Sequence, residues 1–143
     1  MPTKSETFNK SQLKENLPEV RPGDFIRIYQ KIQEGGKERL QPFEGTVLAR
    51  KHGKGISATI TIRNIIAGVG VEKIIPLHSP NVKRIEILKR TKTRRAKLYY
   101  LRKAKGKRAN LKSKELKEPI IWEEKTEVIK KEKETKEKEE KEK

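Results

Sequence analysis

Residues 25–50 read FIRIYQKIQEGGKERLQPFEGTVLAR, and their periodicity decides the fold class. From Phe25 onward, Ile26, Ile28 and Ile32 fall on one face and Arg27, Tyr29 and Lys31 on the other, which is the period of a half-buried strand. Glu34-Gly35-Gly36-Lys37 then supplies a hairpin turn, because paired glycines accept the positive φ that tight turns demand. The returning strand, Arg39 to Arg50, places Phe43, Gly45, Val47 and Ala49 on one side. A glycine inside a strand marks a bulge or a close crossing of backbones, so Gly45 is expected where the sheet turns a corner.

The pattern continues outward. Lys51-His52-Gly53-Lys54-Gly55 reads as a loop and Thr59 to Arg63 as a third alternating strand. Gly68 and Gly70 bracket a turn before Val71 to Ile75; Pro76-Leu77-His78-Ser79-Pro80 interrupts again, and Val82 to Leu88 is a fifth strand with Ile85 and Ile87 inward. Five short strands with Gly/Pro punctuation predict a mostly β chain, a small antiparallel barrel or sandwich with an Ile/Val core. Ahead of it, Asn9 or Ser11 can cap a short helix through Leu13 and Leu17 that Pro18 stops. Behind it, Thr93 as N-cap, Leu98 and Leu101 spaced by three, and Gly106 as a stop predict a basic C-terminal helix. Arg94, Arg95 and Lys97 would occupy its first turn, where cations oppose the helix dipole by a few tenths of a kcal/mol unless an anion binds there. The expected division is a 1–19 helix or arm, a 20–92 β-barrel, a 93–114 basic helix and extension, and a 115–143 Lys/Glu-rich tail.

Charge follows that division. The 143 residues carry a net charge of +17, yet residues 1–19 are neutral and residues 115–143, with 9 Lys and 11 Glu, are slightly acidic. Residues 20–114 hold 25 basic and 6 acidic side chains, and residues 89–114 alone hold 13 Lys or Arg with no acid. A window that basic repels itself, so it calls for a polyanion, either nucleic acid or an anionic membrane surface. The tail has too few apolar side chains to offset its ordering entropy and is expected to be disordered or fraying helix. Within it, Pro119-Ile120-Ile121-Trp122, followed by Val128-Ile129, is either a chance apolar cluster or a short docking motif.

Several classes of function are set aside. No apolar run approaches the roughly 18 residues of a membrane span. The opening residues lack the apolar stretch of a secretory signal, so a cytoplasmic location and no membrane partner are expected. There is no cysteine, which removes disulfides, thiol nucleophiles and cysteine zinc sites. Asp24 is the only aspartate, and His52 and His78 lie in separate loops. Gly53-Lys54-Gly55-Ile56-Ser57 lacks Walker spacing, and Gly68-Val69-Gly70 lacks the third glycine of a dinucleotide fingerprint. No enzyme activity, cofactor or metal is expected.

Nucleic-acid binding is the reading the residues support. The candidate contacts are Arg50, Lys51, His52, Lys54, Arg63, Lys83, Arg84, Lys89, Arg90, Lys92, Arg94, Arg95, Lys97, Arg102, Lys103, Lys105, Lys107 and Arg108. Tyr99 and Tyr100, interleaved with them, either stack on bases and riboses or pack beneath the helix. No sequence-reading DNA module is visible, which favours folded RNA recognised through backbone and shape. The alternative is a free nucleic-acid chaperone or nucleoid-type DNA binder, which would bind duplex DNA and rRNA fragments alike.

Six motifs together carry a family resemblance. They are Pro22-Gly23-Asp24, Glu34-Gly35 with Glu38-Arg39, Phe43-Glu44-Gly45, Gly68-Val69-Gly70-Val71-Glu72, Pro76-Leu77-His78-Ser79-Pro80 and Arg94-Arg95-Ala96-Lys97-Leu98-Tyr99-Tyr100-Leu101-Arg102. Over roughly residues 10–112 the chain resembles the bacterial-type large-subunit ribosomal protein number nineteen family. The resemblance implies an SH3-like barrel with helical extensions, embedded in large-subunit rRNA near the small-subunit interface. It implies bridges to small-subunit rRNA, contacts with neighbouring large-subunit proteins, and a structural role without enzyme activity. Arg94, Arg95, Lys97 and Arg102 would contact rRNA, whereas the tail from about Glu115 lies beyond the family pattern.

Overall fold

Gly35 and Gly36 adopt φ of 55° and 79°, and this turn folds β1 (Phe25–Glu34) directly back onto β2 (Lys37–Lys51). The pairing runs unbroken from Glu34↔Lys37 to Phe25↔Thr46. The computed structural model describes residues 1, 3–104, 106–109, 111–114 and 118–124. Helix α1 (Lys4–Ser11) precedes the sheet, and β3 (Thr59–Ile66), β4 (Val69–Pro76), β5 (Val82–Thr91), β6 (Ser113–Lys114) and β7 (Ile120–Glu123) complete it. The order is β4-β3-β2-β1-β5-β6, all antiparallel, with β7 also paired to β5.

One face of the first five strands makes the core. Ile26 and Ile28 meet Phe43, Val47, Ile60, Ile62, Ile75, Val82, Ile85 and Ile87, with Val20, Ala58 and Leu77 closing the ends. α1 buries no side chain, so no helix among the described residues covers this face, and the sheet has to curl around it. Gly45 marks a close approach of β2 to β3. A Cβ there would lie 2.5 Å from the Arg63 carbonyl oxygen and 2.8 Å from Ile62 Cγ2. The register of β2 against β3 shifts just beyond it, between Val47 and Ala49, and such shifts increase local twist.

Three expectations are corrected. The pairing is an open path, because β4 does not pair with β6 or β7 among the described residues. The far edge of β5, which would have to close a barrel, is taken by β7 and β6. The N-terminal helix lies earlier than expected: Thr3 and Glu6 form a reciprocal capping box that starts it at Lys4, and Leu17 is drawn out of helix to pack on the core.

The third correction concerns the basic helix, in whose place the described residues form only short 3-10 turns. Thr93 donates its hydroxyl to the Pro22 carbonyl at 3.2 Å instead of capping, and residues 93–98 form no helix. The Leu98–Leu101 spacing is satisfied by a 3-10 turn at Tyr99–Arg102, in which side chains three apart eclipse. A second 3-10 turn covers Gly106–Ala109. Three cations in the first α-turn, Arg94, Arg95 and Lys97, would have added mutual repulsion to the adverse dipole.

The Gly45 environment gives a test. Gly45→Ala is expected to cost about 1–3 kcal/mol, since strand backbone and not a flexible side-chain end must move. A urea midpoint equal to wild type would contradict the close crossing.

Candidate nucleic-acid interface

The stretch after β5 is pinned at both ends. Thr91 Oγ1 donates to the Gly23 carbonyl at 2.7 Å and Thr93 Oγ1 to that of Pro22, tying the strand end to the turn ahead of β1. Lys97 bridges Ala49, and the Leu98 N–H donates to the Leu48 carbonyl at 2.8 Å. Leu98 and Leu101 are buried with Leu48 in a second small core that Leu111 packs against. Thr91 and Thr93 on one side and Leu98 and Leu101 on the other therefore hold the backbone down, and the cations ahead of Leu98 are left at the surface. Lys92, Arg94, Arg95 and Lys97 are all exposed, flanked by exposed Lys89 and Lys103.

The acids decide which cations remain available. Glu44 holds Arg27 (2.5 Å), Glu86 holds Arg84 (2.6 Å) and Arg27 (3.4 Å), Glu38 holds Lys31 (2.5 Å), and Glu34 holds Arg39 (3.1 Å). Glu72 holds Arg63 (2.9 Å) and takes a two-pronged contact from Arg102 (2.8 Å from both Nε and Nη2). Asp24 is buried, accepts the Arg21 N–H at 2.9 Å and lies 3.8 Å from Arg90. Every acid of residues 20–114 is thus engaged with a cation elsewhere in the fold. Among the described residues, no ion pair reaches the cations of 92–97 or Lys89, Lys103 and Lys107.

The candidate contacts split accordingly. Arg63, Arg84 and Arg102 are occupied by acids, Lys83 pairs with Glu124, and Arg90 donates to the Glu19 carbonyl at 3.0 Å. Arg50 braces its own loop through the Gly53 and Val20 carbonyls, both at 3.2 Å. Lys51, His52 and Lys54 stand exposed in the β2–β3 connection, and Lys89, Lys92, Arg94, Arg95, Lys97, Lys103 and Lys107 form the exposed run. Lys105 and the side chain of Arg108 lie outside the described residues. Tyr99 is half-buried with the Arg102 guanidinium 4.7 Å from its ring centre, whereas Tyr100 is 41% exposed with Arg95 5.4 Å away. The open choice for the tyrosines therefore resolves differently for each: Tyr99 packs, Tyr100 faces out.

Sequence reading missed three features. Lys112 is exposed and continues the run, and its place in the acid-free window was the available signal. Glu72 as a hub could not be read, since its partners lie 9 and 30 positions away. The third is β7: Trp122 packs against the core and donates Nε1–H to the Glu15 carbonyl at 3.1 Å. Of the tail's apolar cluster, Ile120–Trp122 lie in a strand paired with β5 and Trp122 packs on the core, whereas Val128 and Ile129 lie outside the described residues.

Chemistry at these sites is electrostatic. The Arg102 guanidinium, with Arg63 beside it, holds the Glu72 carboxyl below the usual range. Burial pushes Asp24 the other way, upward. Burial and the nearby Lys14 charge keep His78 below its ordinary value, in keeping with its Nδ1 accepting the Lys14 N–H at 3.1 Å. Among the described residues no cluster of three or more His, Asp or Glu is placed to hold a metal.

A small β domain that spends its acids on internal bracing and displays a run of cations without acids has a charge layout suited to a polyanion. The family model for Ribosomal protein L19 matches residues 4–114, and the chain belongs to that family. Membership makes it a structural constituent of the large ribosomal subunit.

Glu72 provides the pH test. Its folded pKa is depressed, so its contribution is present above the unfolded value of about 4.3 and is lost as pH falls through the lower folded value. Glu72→Gln should lower the melting temperature at pH 7, and the gap to wild type should narrow below about pH 4. A gap independent of pH would contradict the clamp.

Proposed function

We propose that the protein binds large-subunit rRNA through the exposed run Lys89–Lys112 and the Lys51–Lys54 loop, helping to fix rRNA near the small-subunit interface. The observation that carries this reading is the sorting of charge: the acids are used up inside the fold, and the run between Thr93 and Leu98 is presented without a counter-charge. Its pinned backbone supports binding without a large ordering cost, because cations on a fixed strap lose less freedom than cations on a loose tail. Tyr100 beside Arg95 offers a stacking face for an unpaired base. In this reading residues 1–19 are an arm, 20–92 the β body, 93–114 the RNA-facing extension and 115–143 a tail.

Contact with small-subunit rRNA, and so a bridging role in a cytoplasmic ribosome, rests on the family resemblance. Contact with neighbouring large-subunit proteins has a candidate surface in the β3–β4 hairpin. Ile65, Ile66, Val69 and Ile74 are exposed there, and β4 is an edge of the sheet with no second strand partner among the described residues.

Binding of an rRNA fragment should weaken with salt at a log–log slope of about −6 to −7 if about eight phosphates are neutralised. Arg94→Glu with Arg95→Glu should flatten that slope by about 1.5 and impair incorporation into large subunits, with the melting temperature preserved. Unchanged incorporation would remove these residues from the interface. Equal affinity for duplex DNA at the same salt would favour the free DNA-binder alternative.

A further inference from the structure

Residues 118–124 lie beyond the family match, yet the fold uses them. β7 pairs with β5 through Ile87↔Ile120, Ile85↔Trp122 and Arg84↔Glu123, and the Glu124 N–H donates to the Lys83 carbonyl at 2.8 Å. The Lys14 ammonium sits 5.2 Å from the Trp122 ring centre and 3.2 Å from Glu124 Oε1. The other Glu124 oxygen pairs with Lys83, and Glu123 Oε1 lies 2.7 Å from Arg84. Two neighbouring carboxylates thus sit on cations that the sequence offers to nucleic acid.

We propose that β7 is a displaceable acidic clasp, which masks Lys83 and Arg84 in the free protein and yields them to RNA. This rests on the nucleic-acid-binding reading and adds a device for selectivity. The clasp is built to be weak: the strand has four residues, and Ile120 and Ile121 remain exposed, so Trp122 is its main apolar anchor. Its ion pairs are part-exposed and open to competition from phosphate. Lys83 has no other acidic partner among the described residues, whereas Arg84 keeps Glu86 and lies 5.5 Å from the Tyr29 ring centre. Lys83 is therefore the cation released most completely. An RNA already held on the Lys89–Lys112 run gains this contact by opening the clasp, and a short polyanion that does not reach the run has to compete with Glu123 and Glu124 unaided.

Trp122 is the only tryptophan, so its emission reports the clasp. The full chain would be titrated with oligouridylate, with binding followed by anisotropy and the clasp by Trp122 emission. The expected result is a red shift that tracks saturation. Glu123→Gln with Glu124→Gln should bind on the order of fivefold more tightly, from release of two part-exposed ion pairs. Its salt slope should be steeper by about one. The charge-matched Glu137→Gln with Glu139→Gln should gain clearly less, and Trp122→Ala, which loosens the strand but keeps both carboxylates, should gain as the double variant does. Saturation with unchanged emission, or equal gains in the double variant and its control, overturns the clasp while leaving RNA binding intact. Absence of binding by wild type and variants alike overturns the RNA reading and the clasp with it.

Discussion

Six acidic side chains must brace a segment that carries 25 cations, and the structure depends on where those six are placed. Among the described residues none of them pairs with Lys89, Lys92, Arg94, Arg95 or Lys97, although Asp24 lies beside Arg90 and Glu72 holds Arg102. Glu44 and Glu86 work across β2, β1 and β5, Glu34 and Glu38 hold the β1–β2 hairpin, Asp24 fastens the turn ahead of β1, and Glu72 joins the β3–β4 hairpin to the 3-10 turn. Individually, exposed pairs of this kind contribute at most about 1 kcal/mol. Their larger effect is positional: all six acids fall in residues 20–88, which carry 12 of the 25 cations, and the 13 cations of residues 89–114 have none among them.

That stretch is held by apolar and hydrogen-bonding anchors instead. Thr91, Thr93 and Leu98 fix the backbone, and the cations between them have no internal use. Charge repulsion that would fray an α-helix is harmless on a strap stapled to a sheet, and a polyanion turns it into affinity. Membership in the Ribosomal protein L19 family gives that polyanion a setting, the large subunit.

The five main strands were legible because each buries one face and keeps a period of two; the Gly35-Gly36 turn and the close crossing at Gly45 were legible from backbone chemistry alone. The region after Leu88 was not. Leu98 and Leu101 fit an α-helix and a 3-10 turn equally well by spacing, and the choice was made by Leu48 and Ala49, about fifty residues away. Which cations stay free was also hidden, because Glu72–Arg102 and Arg27–Glu86 are brought together only by the register of the sheet. β7 was hidden by its setting in a Lys/Glu tail, where four residues carry too weak a pattern to predict pairing.

In the function proposed above, charge is sorted so that the run after β5 is left for nucleic acid. Lysine acetylation mapped by mass spectrometry, on the free protein and on large subunits containing it, tests this most directly. Lys89, Lys92, Lys97, Lys103 and Lys107 should react readily in the free protein and be protected in the subunit. If those lysines react equally in both, the run is solvated surface and holds no nucleic acid.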